Sequence, residues 1–295
     1  MKTFIKILYI SMLLGIVLIV SGVALGANID SVKEVLTDQA NYTPYETTID
    51  TSYDAIKIIT EHKNVDIKVS SEVEYPKLNY YLKDTEFFEQ GVDEAGLLTV
   101  RSMLKPHINN WFSFGFSPSK YHTLYVVLPI TYQGKLDIHT TAGNIRVDGT
   151  FDETKLSSQF GNVDVTGEFM SLSVDQKAGN TDLYDIHING ALAVEGQSGN
   201  IKVSNATVLS NINLEVSAGN IAVDYVEAAS YELKTAAGNI SFKTNKKAID
   251  FEMILKTNAG NNRVNGTKVS RDYQSGTGIL LDLKTHAGNI SVNTK

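Results

Sequence analysis

The chain has 295 residues, of which 42% are hydrophobic, 9% aromatic and 20% charged, with 33 acidic and 26 basic side chains. This mixture excludes collagen-like, disordered and polytopic membrane proteins, and a net charge of −7 argues against a nucleic-acid-binding surface. The absence of cysteine excludes disulfide frameworks, thiolate nucleophiles and cysteine-bound zinc. Packing must therefore stabilise the fold.

An apolar segment lies near the N-terminus. Residues 7–25 form a run of 19 residues without a charge, and Lys2 and Lys6 precede it. An α-helix of this length spans about 29 Å, close to the roughly 30 Å of the bilayer core. We therefore expect residues 1–26 to be a membrane anchor, with the lysines in the cytoplasm and the rest of the chain extracytoplasmic. A cleaved signal peptide is the alternative, because Ala24-Leu25-Gly26 resembles a cleavage site.

The segment after the anchor changes character at about residue 49. Residues 27–48 lack strong periodicity and contain Pro44, which predicts a tether between the membrane and the folded part. Apolar and polar residues then alternate, starting at Ile56, and this period of two predicts β-strands. We divide the folded part into an N-terminal β segment, residues 49–132, and a repeat region, residues 133–295.

The repeat region contains eight Gly-Asn pairs. Neighbouring pairs are 18 to 28 residues apart, and such a period indicates stacked units that build one core together. The position five before each glycine and the position four after it are apolar in all eight copies, whereas the position four before it is polar in all eight. Each repeat is therefore predicted to be a strand, a Gly-Asn turn and a second strand. The pairs are Gly143-Asn144, Gly161-Asn162, Gly179-Asn180, Gly199-Asn200, Gly219-Asn220, Gly238-Asn239, Gly260-Asn261 and Gly288-Asn289.

Two architectures fit the repeat. In an antiparallel meander, Gly-Asn would form the centre of a type II′ hairpin turn. In a single-stranded β-solenoid, or β-helix-like fold, each repeat is one coil, and equivalent side chains lie about 4.8 Å apart in continuous ladders. Because ladders of identical side chains reward residue identity at fixed offsets, the eightfold pattern favours the solenoid. The sequence therefore predicts an all-β solenoid of about eight Gly-Asn coils, preceded by further strands and one N-terminal transmembrane helix.

The chain resembles a known bacterial family. Residues 124–129 (LYVVLP), 136–138 (LDI) and 142–145 (AGNI) resemble the "putative adhesin" β-solenoid family, which includes LiaG-like, membrane-anchored proteins of cell-envelope stress systems. The resemblance covers residues 53–295 and includes a degenerate copy, residues 64–67 (NVDI), that lacks the glycine. It implies a surface-exposed, non-catalytic domain of a Gram-positive envelope, and no catalytic or binding residues can be transferred from the family.

One polar column carries two blocks of charge. If the coils stack in parallel, the position four before the glycine aligns three acids and then three lysines. The acidic block suggests a site for a divalent cation or a cationic peptide, and the basic block a site for an anionic envelope polymer. A solvated face screened by salt is the structural alternative. The acids are Asp175, Glu195 and Glu215, and the lysines are Lys234, Lys256 and Lys284.

An aromatic cluster interrupts the N-terminal β segment. Trp111, Phe112, Phe114 and Phe116 lie within six residues of one another, in the only part of the chain that contains tryptophan. We expect these side chains either to cap the open apolar end of the solenoid or to form an exposed tip that contacts a partner protein or a membrane interface.

The C-terminal end needs a cover of its own. Residues 263–278 form a polar insertion that we predict to fold over the last coil. Without such a cover, an unpaired terminal strand would recruit another chain, which leaves homo-association open.

The chain carries no HExxH, GxSxG, Walker A, GxGxxG or EF-hand motif, and its six histidines lack ligand spacing. We therefore predict no enzyme activity, no cofactor and no metal. The interpretation is a membrane-anchored binding or adhesin-like module of the cell envelope, accessory to adhesion or stress sensing, with an envelope protein or cell-wall polymer as partner. The alternatives are a carbohydrate-active enzyme on a β-helix scaffold and a self-associating structural subunit.

Overall fold

The computed structural model describes residues 42–50, 53–105 and 119–295, which form 23 β-strands and two short 3₁₀ helices. The helices are Ser119–His122 and Ala248–Asp250. The first twelve strands are β1 Thr43–Thr48, β2 Ala55–Thr60, β3 Asn64–Ser70, β4 Lys77–Leu82, β5 Glu86–Val92, β6 Leu97–Leu104, β7 Thr123–Pro129, β8 Lys135–Ala142, β9 Ile145–Phe160, β10 Val163–Ala178, β11 Thr181–Ile188 and β12 Leu192–Ser198. The others are β13 Ile201–Val208, β14 Asn211–Ala218, β15 Ile221–Glu227, β16 Ser230–Ala237, β17 Ile240–Lys243, β18 Phe251–Ala259, β19 Asn262–Val264, β20 Thr267–Val269, β21 Asp272–Ser275, β22 Ile279–Ala287 and β23 Ile290–Asn293.

The strands stack in parallel and in register, as expected for a solenoid. Strands that precede the Gly-Asn corner form one ladder in the order β6, β2, β8, β9, β10, β12, β14, β16, β22 and β18. Strands that follow the corner form a second ladder in the order β7, β3, β9, β10, β11, β13, β15, β17, β23 and β19. We name these the pre-corner and post-corner ladders. The prediction of an all-β, solenoid-like fold is confirmed, and the antiparallel meander is wrong.

The apolar columns form the core between the two ladders. The residues five before each glycine, such as Leu214 and Leu233, are fully buried, and so are those four after it, such as Val203 and Val223, except Val264 in the end coil, which is partly buried. Because successive side chains of a strand point to opposite faces, the interleaved polar residues face solvent. The sequence pattern therefore gives the inside and outside of the rod.

The glycines allow the coils to approach each other at the corner. A Cβ atom on Gly199 or Gly219 would lie 1.7 Å from the carbonyl oxygen of the glycine in the neighbouring coil, a distance that no side chain tolerates. The residue before the glycine is not constrained in this way, since Phe160 occupies that position and is 59% exposed. The steric requirement for a small residue therefore applies to the glycine alone.

The asparagines form a hydrogen-bonded ladder along the same corner. Each backbone N–H donates to the side-chain Oδ1 of the asparagine in the neighbouring coil, over 2.8 Å from Asn162 to Asn144 and 3.0 Å from Asn220 to Asn200. None of these asparagines has a positive φ, so their role at the corner is hydrogen bonding and not an unusual backbone conformation.

The stacking order departs from the chain order at both ends. The coil formed by β22 and β23 lies between the coil of β16 and β17 and the coil of β18 and β19, although it comes last in sequence. At the other end, the coil of β2 and β3 lies between two other coils. One is formed by β8 and β9, and the other, which is outermost, is formed by β6 and β7. Residues 49–132 therefore contribute two coils to the same stack as residues 133–295.

Antiparallel strands cover the two outermost coils. At the C-terminal end, β20 pairs with β19 and β21 pairs with β18, so the predicted cover by residues 263–278 is confirmed. At the N-terminal end, β4 pairs with β7 and β5 with β6. The expectation of an unpaired final strand is wrong, because β23 has a partner on both edges.

The tether prediction is wrong at its C-terminal boundary. β1 lies within residues 27–48 and pairs with β4 in antiparallel orientation. Its side chains are exposed on both faces, which explains why the sequence shows no alternation there. Within the described ranges no helix has the length and apolarity needed to cross a membrane. The predicted anchor lies outside those ranges, as does the tether up to residue 41.

In the coil of β2 and β3, a lysine that forms a buried ion pair takes the place of the corner glycine. Lys63 occupies the glycine position, because its carbonyl oxygen faces Gly143 and the asparagine ladder continues to Asn64. Its side chain is 0% exposed, with Nζ 2.8 Å from Glu86 Oε2. His62 Nε2 lies 3.0 Å from the other oxygen of that carboxylate. Although burial raises the pKa of Glu86, hydrogen bonds from His62 and Lys63 outweigh it and leave the pKa below its ordinary value.

We predict that Gly199→Ala destabilises the protein by more than about 2 kcal/mol, because the added Cβ forces neighbouring coils apart. Guanidinium unfolding measures this change. Gly91→Ala is the matched control, since an added Cβ there meets nothing within 4 Å, and it should alter stability by less than about 0.5 kcal/mol. Equal effects of the two substitutions would contradict the tight corner.

We predict that Glu86 makes the unfolding free energy fall in acid. Because its pKa is lowered in the folded state, its stabilisation is present above the unfolded value of about 4.3 and is lost as the pH falls through the lower folded value. Glu86→Gln should therefore cost about 3–5 kcal/mol at pH 7 and show a flatter acid limb in unfolding from pH 7 to pH 2. Glu89→Gln, on the same strand but exposed, should keep the wild-type slope.

Candidate binding surface

Three carboxylates lie side by side on the outer face of the pre-corner ladder. Asp175 pairs in register with Glu195, and Glu195 with Glu215, so the side chains leave neighbouring strands about 4.8 Å apart. All three residues are exposed. Among the described residues, none of the three forms an ion pair. We name this set the acidic strip.

The basic block continues the same column, in a different order from that predicted. Lys234 lies next to Glu215 and pairs in register with Lys284, which in turn pairs with Lys256. The prediction placed Lys256 before Lys284, as in the chain. The order is reversed because β22 lies between β16 and β18.

Each lysine of the basic block has a carboxylate partner. Lys234 binds Glu232, and this contact raises the pKa of the lysine. Lys284 Nζ lies 2.6 Å from Asp282 Oδ2, and the strand that covers the end supplies Asp272, 3.7 Å from Lys256. The basic block is therefore locally neutralised, which disfavours the predicted role in binding an anionic polymer. In the acidic strip, Glu215 interacts electrostatically with the neighbouring Lys234, whereas no basic residue pairs in register with Asp175 or Glu195.

A shallow groove runs along the acidic strip. It is lined by the three carboxylates and by Gly196, Gln197 and Ser217. Gly196 lies at the inward-facing position where the next coils carry Val216 and Thr235. Within the described ranges, no group of three His, Asp or Glu side chains is arranged to hold a metal ion.

A second corner, six residues after Gly179, Gly199 and Gly219, was not predicted. Asp185, Asn205 and Tyr225 occupy this position in successive coils, with φ values of 51°, 51° and 57°. The left-handed conformation costs roughly 1–2 kcal/mol for residues other than glycine, asparagine and aspartate. Tyr225 is therefore strained, and it is 52% exposed, so that burial does not repay the strain. The sequence did not reveal this corner because its residue type varies. Gly149 and Gly167 occupy the position in the coils of β9 and β10, and aspartate, asparagine and tyrosine occupy it in the next three coils.

The aromatic cluster of Trp111, Phe112, Phe114 and Phe116 lies outside the described residues, so its assignment as cap or tip stays a prediction.

The comparisons with known proteins identify the family. The Toastrack DUF4097 family matches the chain at residues 53–191 and 184–295. Since these two matches cover most of the chain, the protein belongs to this family, and the resemblance found in the sequence is confirmed. No protein in the curated set matches.

Three solved structures show similarity of fold at low sequence identity. A candidate cell adhesion protein from Clostridium sporogenes is 15% identical, with 86% of this chain and 100% of that chain covered and a TM-score of 0.28. A candidate adhesin from Bacteroides fragilis is 12% identical, with 87% and 98% covered and a TM-score of 0.41. A candidate lipid binding protein from Parabacteroides distasonis is 13% identical, with 87% and 98% covered and a TM-score of 0.29.

We predict that the acidic strip destabilises the fold through repulsion between adjacent carboxylates. Glu195→Gln should raise the unfolding free energy by about 0.2–1 kcal/mol at low salt, and the gain should shrink at 1 M salt because the charges are then screened. Thermal unfolding at two salt concentrations tests this. The control is Glu153→Gln, whose carboxylate contacts Lys135 and Lys155 and which should not gain stability. A loss of stability in Glu195→Gln would show that the carboxylate has a stabilising partner.

Proposed function

We propose that this protein is a non-catalytic binding module of a Gram-positive cell envelope, anchored in the membrane by residues 1–26. Its acidic strip binds a cationic segment of an envelope partner, as an accessory to adhesion or to envelope-stress sensing. The family assignment supports a solenoid that serves as a display surface. The apolar run behind Lys2 and Lys6 supports export of the remainder across the membrane.

The observation that carries the proposal is the contrast within one column. The three lysines form ion pairs with carboxylates, whereas Asp175, Glu195 and Glu215 form none among the described residues, and only Glu215 has a lysine, Lys234, on the neighbouring strand. Adjacent carboxylates without ion-pair partners destabilise the free protein through repulsion. Such residues are kept where a bound ligand of opposite charge removes the repulsion. Since the strip lies on an exposed ladder of fixed spacing, an extended basic peptide can place its charges against successive coils.

The proposal needs no activated nucleophile and no lid. Recognition by a rigid column draws its affinity from preorganisation, because the carboxylates are already aligned before the partner arrives. The exposed charges also attract a cationic partner over a distance of about 8–10 Å at physiological salt. The interaction should therefore weaken as the ionic strength rises.

The test is binding of a fluorescent decalysine peptide to the full-length protein in lipid nanodiscs. The triple variant Asp175→Asn, Glu195→Gln, Glu215→Gln should bind at least about threefold more weakly, since each exposed charge contact is worth about 0.2–1 kcal/mol. The control removes the same number of charges from scattered exposed positions, through Glu168→Gln, Glu227→Gln and Glu252→Gln. Equal affinity of the two triple variants would overturn the role of the strip. For the location, protease added to intact cells should cleave the solenoid, and a solenoid protected until lysis would contradict the proposed orientation.

A further inference from the structure

Two exposed tyrosines flank a polar residue at the second corner. Tyr184 pairs in register with Ser204, and Ser204 with Asp224, which precedes Tyr225. The two tyrosines are thus two coils apart and are offset by one residue along the strand. Two steps of about 4.8 Å and one residue of about 3.4 Å place their Cα atoms about 10 Å apart. Asn205 lies in the coil between them.

The left-handed conformation explains why Tyr225 faces outward, whereas Tyr184 lies at an outward position of the regular alternation. Side chains alternate between core and solvent along a regular strand, but a residue at positive φ breaks this alternation. Tyr184 and its neighbour Asp185 are consequently both exposed, and Tyr184 shows 45% of its surface to solvent. Neither Tyr184 nor Tyr225 has a ring contact among the described residues.

The strain at Tyr225 points to a role outside folding. The preceding coils fill this position with aspartate and asparagine, which visit the left-handed region more easily than a bulky side chain. An exposed tyrosine neither relieves the strain nor gains the packing that would offset it. Strained residues that persist without such compensation cluster at binding sites.

We propose that Tyr184, Asn205 and Tyr225 form a binding strip for a β-1,4-linked polysaccharide. The C–H groups of a pyranose ring form an apolar, electropositive face, which packs against the electronegative face of an aromatic ring. Two tyrosines about 10 Å apart suit sugar rings separated by about one disaccharide unit of an extended glycan. The amide of Asn205 and the carboxylate of Asp185 can then hydrogen-bond the hydroxyl groups between them.

A glycan fits this surface better than a protein partner does. The tyrosines are separated by polar groups and do not form the continuous apolar core of a protein–protein interface. The regular spacing of the coils also suits a ligand made of repeating units, because each further disaccharide of an extended glycan lies further along the stack of coils. The tyrosine strip lies on the post-corner ladder, whereas the acidic strip lies on the pre-corner ladder, so that the two proposals are independent.

The experiment measures binding of chitohexaose and cellohexaose to the full-length protein in nanodiscs by calorimetry. At least one hexasaccharide should bind at least tenfold more tightly than its disaccharide, because only the longer chain reaches both tyrosines. Tyr184→Ala should abolish this advantage of length. Tyr225→Asn should abolish it as well, while raising the melting temperature, because asparagine tolerates the left-handed backbone.

The controls separate recognition from folding. Tyr75→Ala removes another exposed tyrosine and should bind like the wild type. Maltohexaose, whose α-1,4 linkages coil the chain, should bind more weakly than the β-linked hexasaccharide that the wild type prefers. Absence of measurable binding to both β-linked hexasaccharides would overturn the proposal. Undiminished binding in a Tyr225→Asn variant with a raised melting temperature would overturn it too.

Discussion

The close approach of backbone at the Gly-Asn corner is the constraint on which this structure depends. At Gly199 and Gly219 the neighbouring carbonyl oxygen occupies the space that a side chain would need. The asparagine beside each glycine then fixes the register, because its Oδ1 accepts the N–H of the adjacent coil. Steric necessity and hydrogen bonding thus act at the same corner. Together they hold eight coils in parallel, and the two apolar columns pack as a consequence.

In-register stacking turns the composition of one column into a continuous surface. A residue type repeated at the same offset becomes a strip with a spacing of about 4.8 Å, so charge is concentrated or cancelled by the choice of neighbours. Each lysine of the basic block is neutralised by a nearby carboxylate, whereas Asp175 and Glu195 have no basic neighbour in register and Glu215 has only Lys234. The strained Tyr225 also stands out within its column, because the equivalent residues of the preceding coils are Asp185 and Asn205, which adopt the left-handed conformation more easily.

Much of this fold could be predicted from the sequence, because equivalent positions of a parallel stack recur at nearly constant spacing along the chain. The eight corners, the two buried columns and the charged column all followed from fixed offsets. The stacking order of the end coils could not be predicted, since β18 and β22 carry the same pattern and either suits the place beside β16. Lys63 was missed because its partner, Glu86, lies outside any repeat. The second corner was missed because its residues share a backbone conformation and not a residue type.

The most direct test of the stack is crosslinking of engineered cysteine pairs, which the cysteine-free chain permits without background. A short thiol-specific crosslinker should join cysteines at 195 and 215 rapidly, and cysteines at 234 and 284 much faster than cysteines at 234 and 256. This order follows because the first two pairs are one coil apart and the last pair is two coils apart. Faster crosslinking of 234 with 256 than with 284, or failure of 195 and 215 to react, would contradict parallel stacking with the final coil inserted between its neighbours.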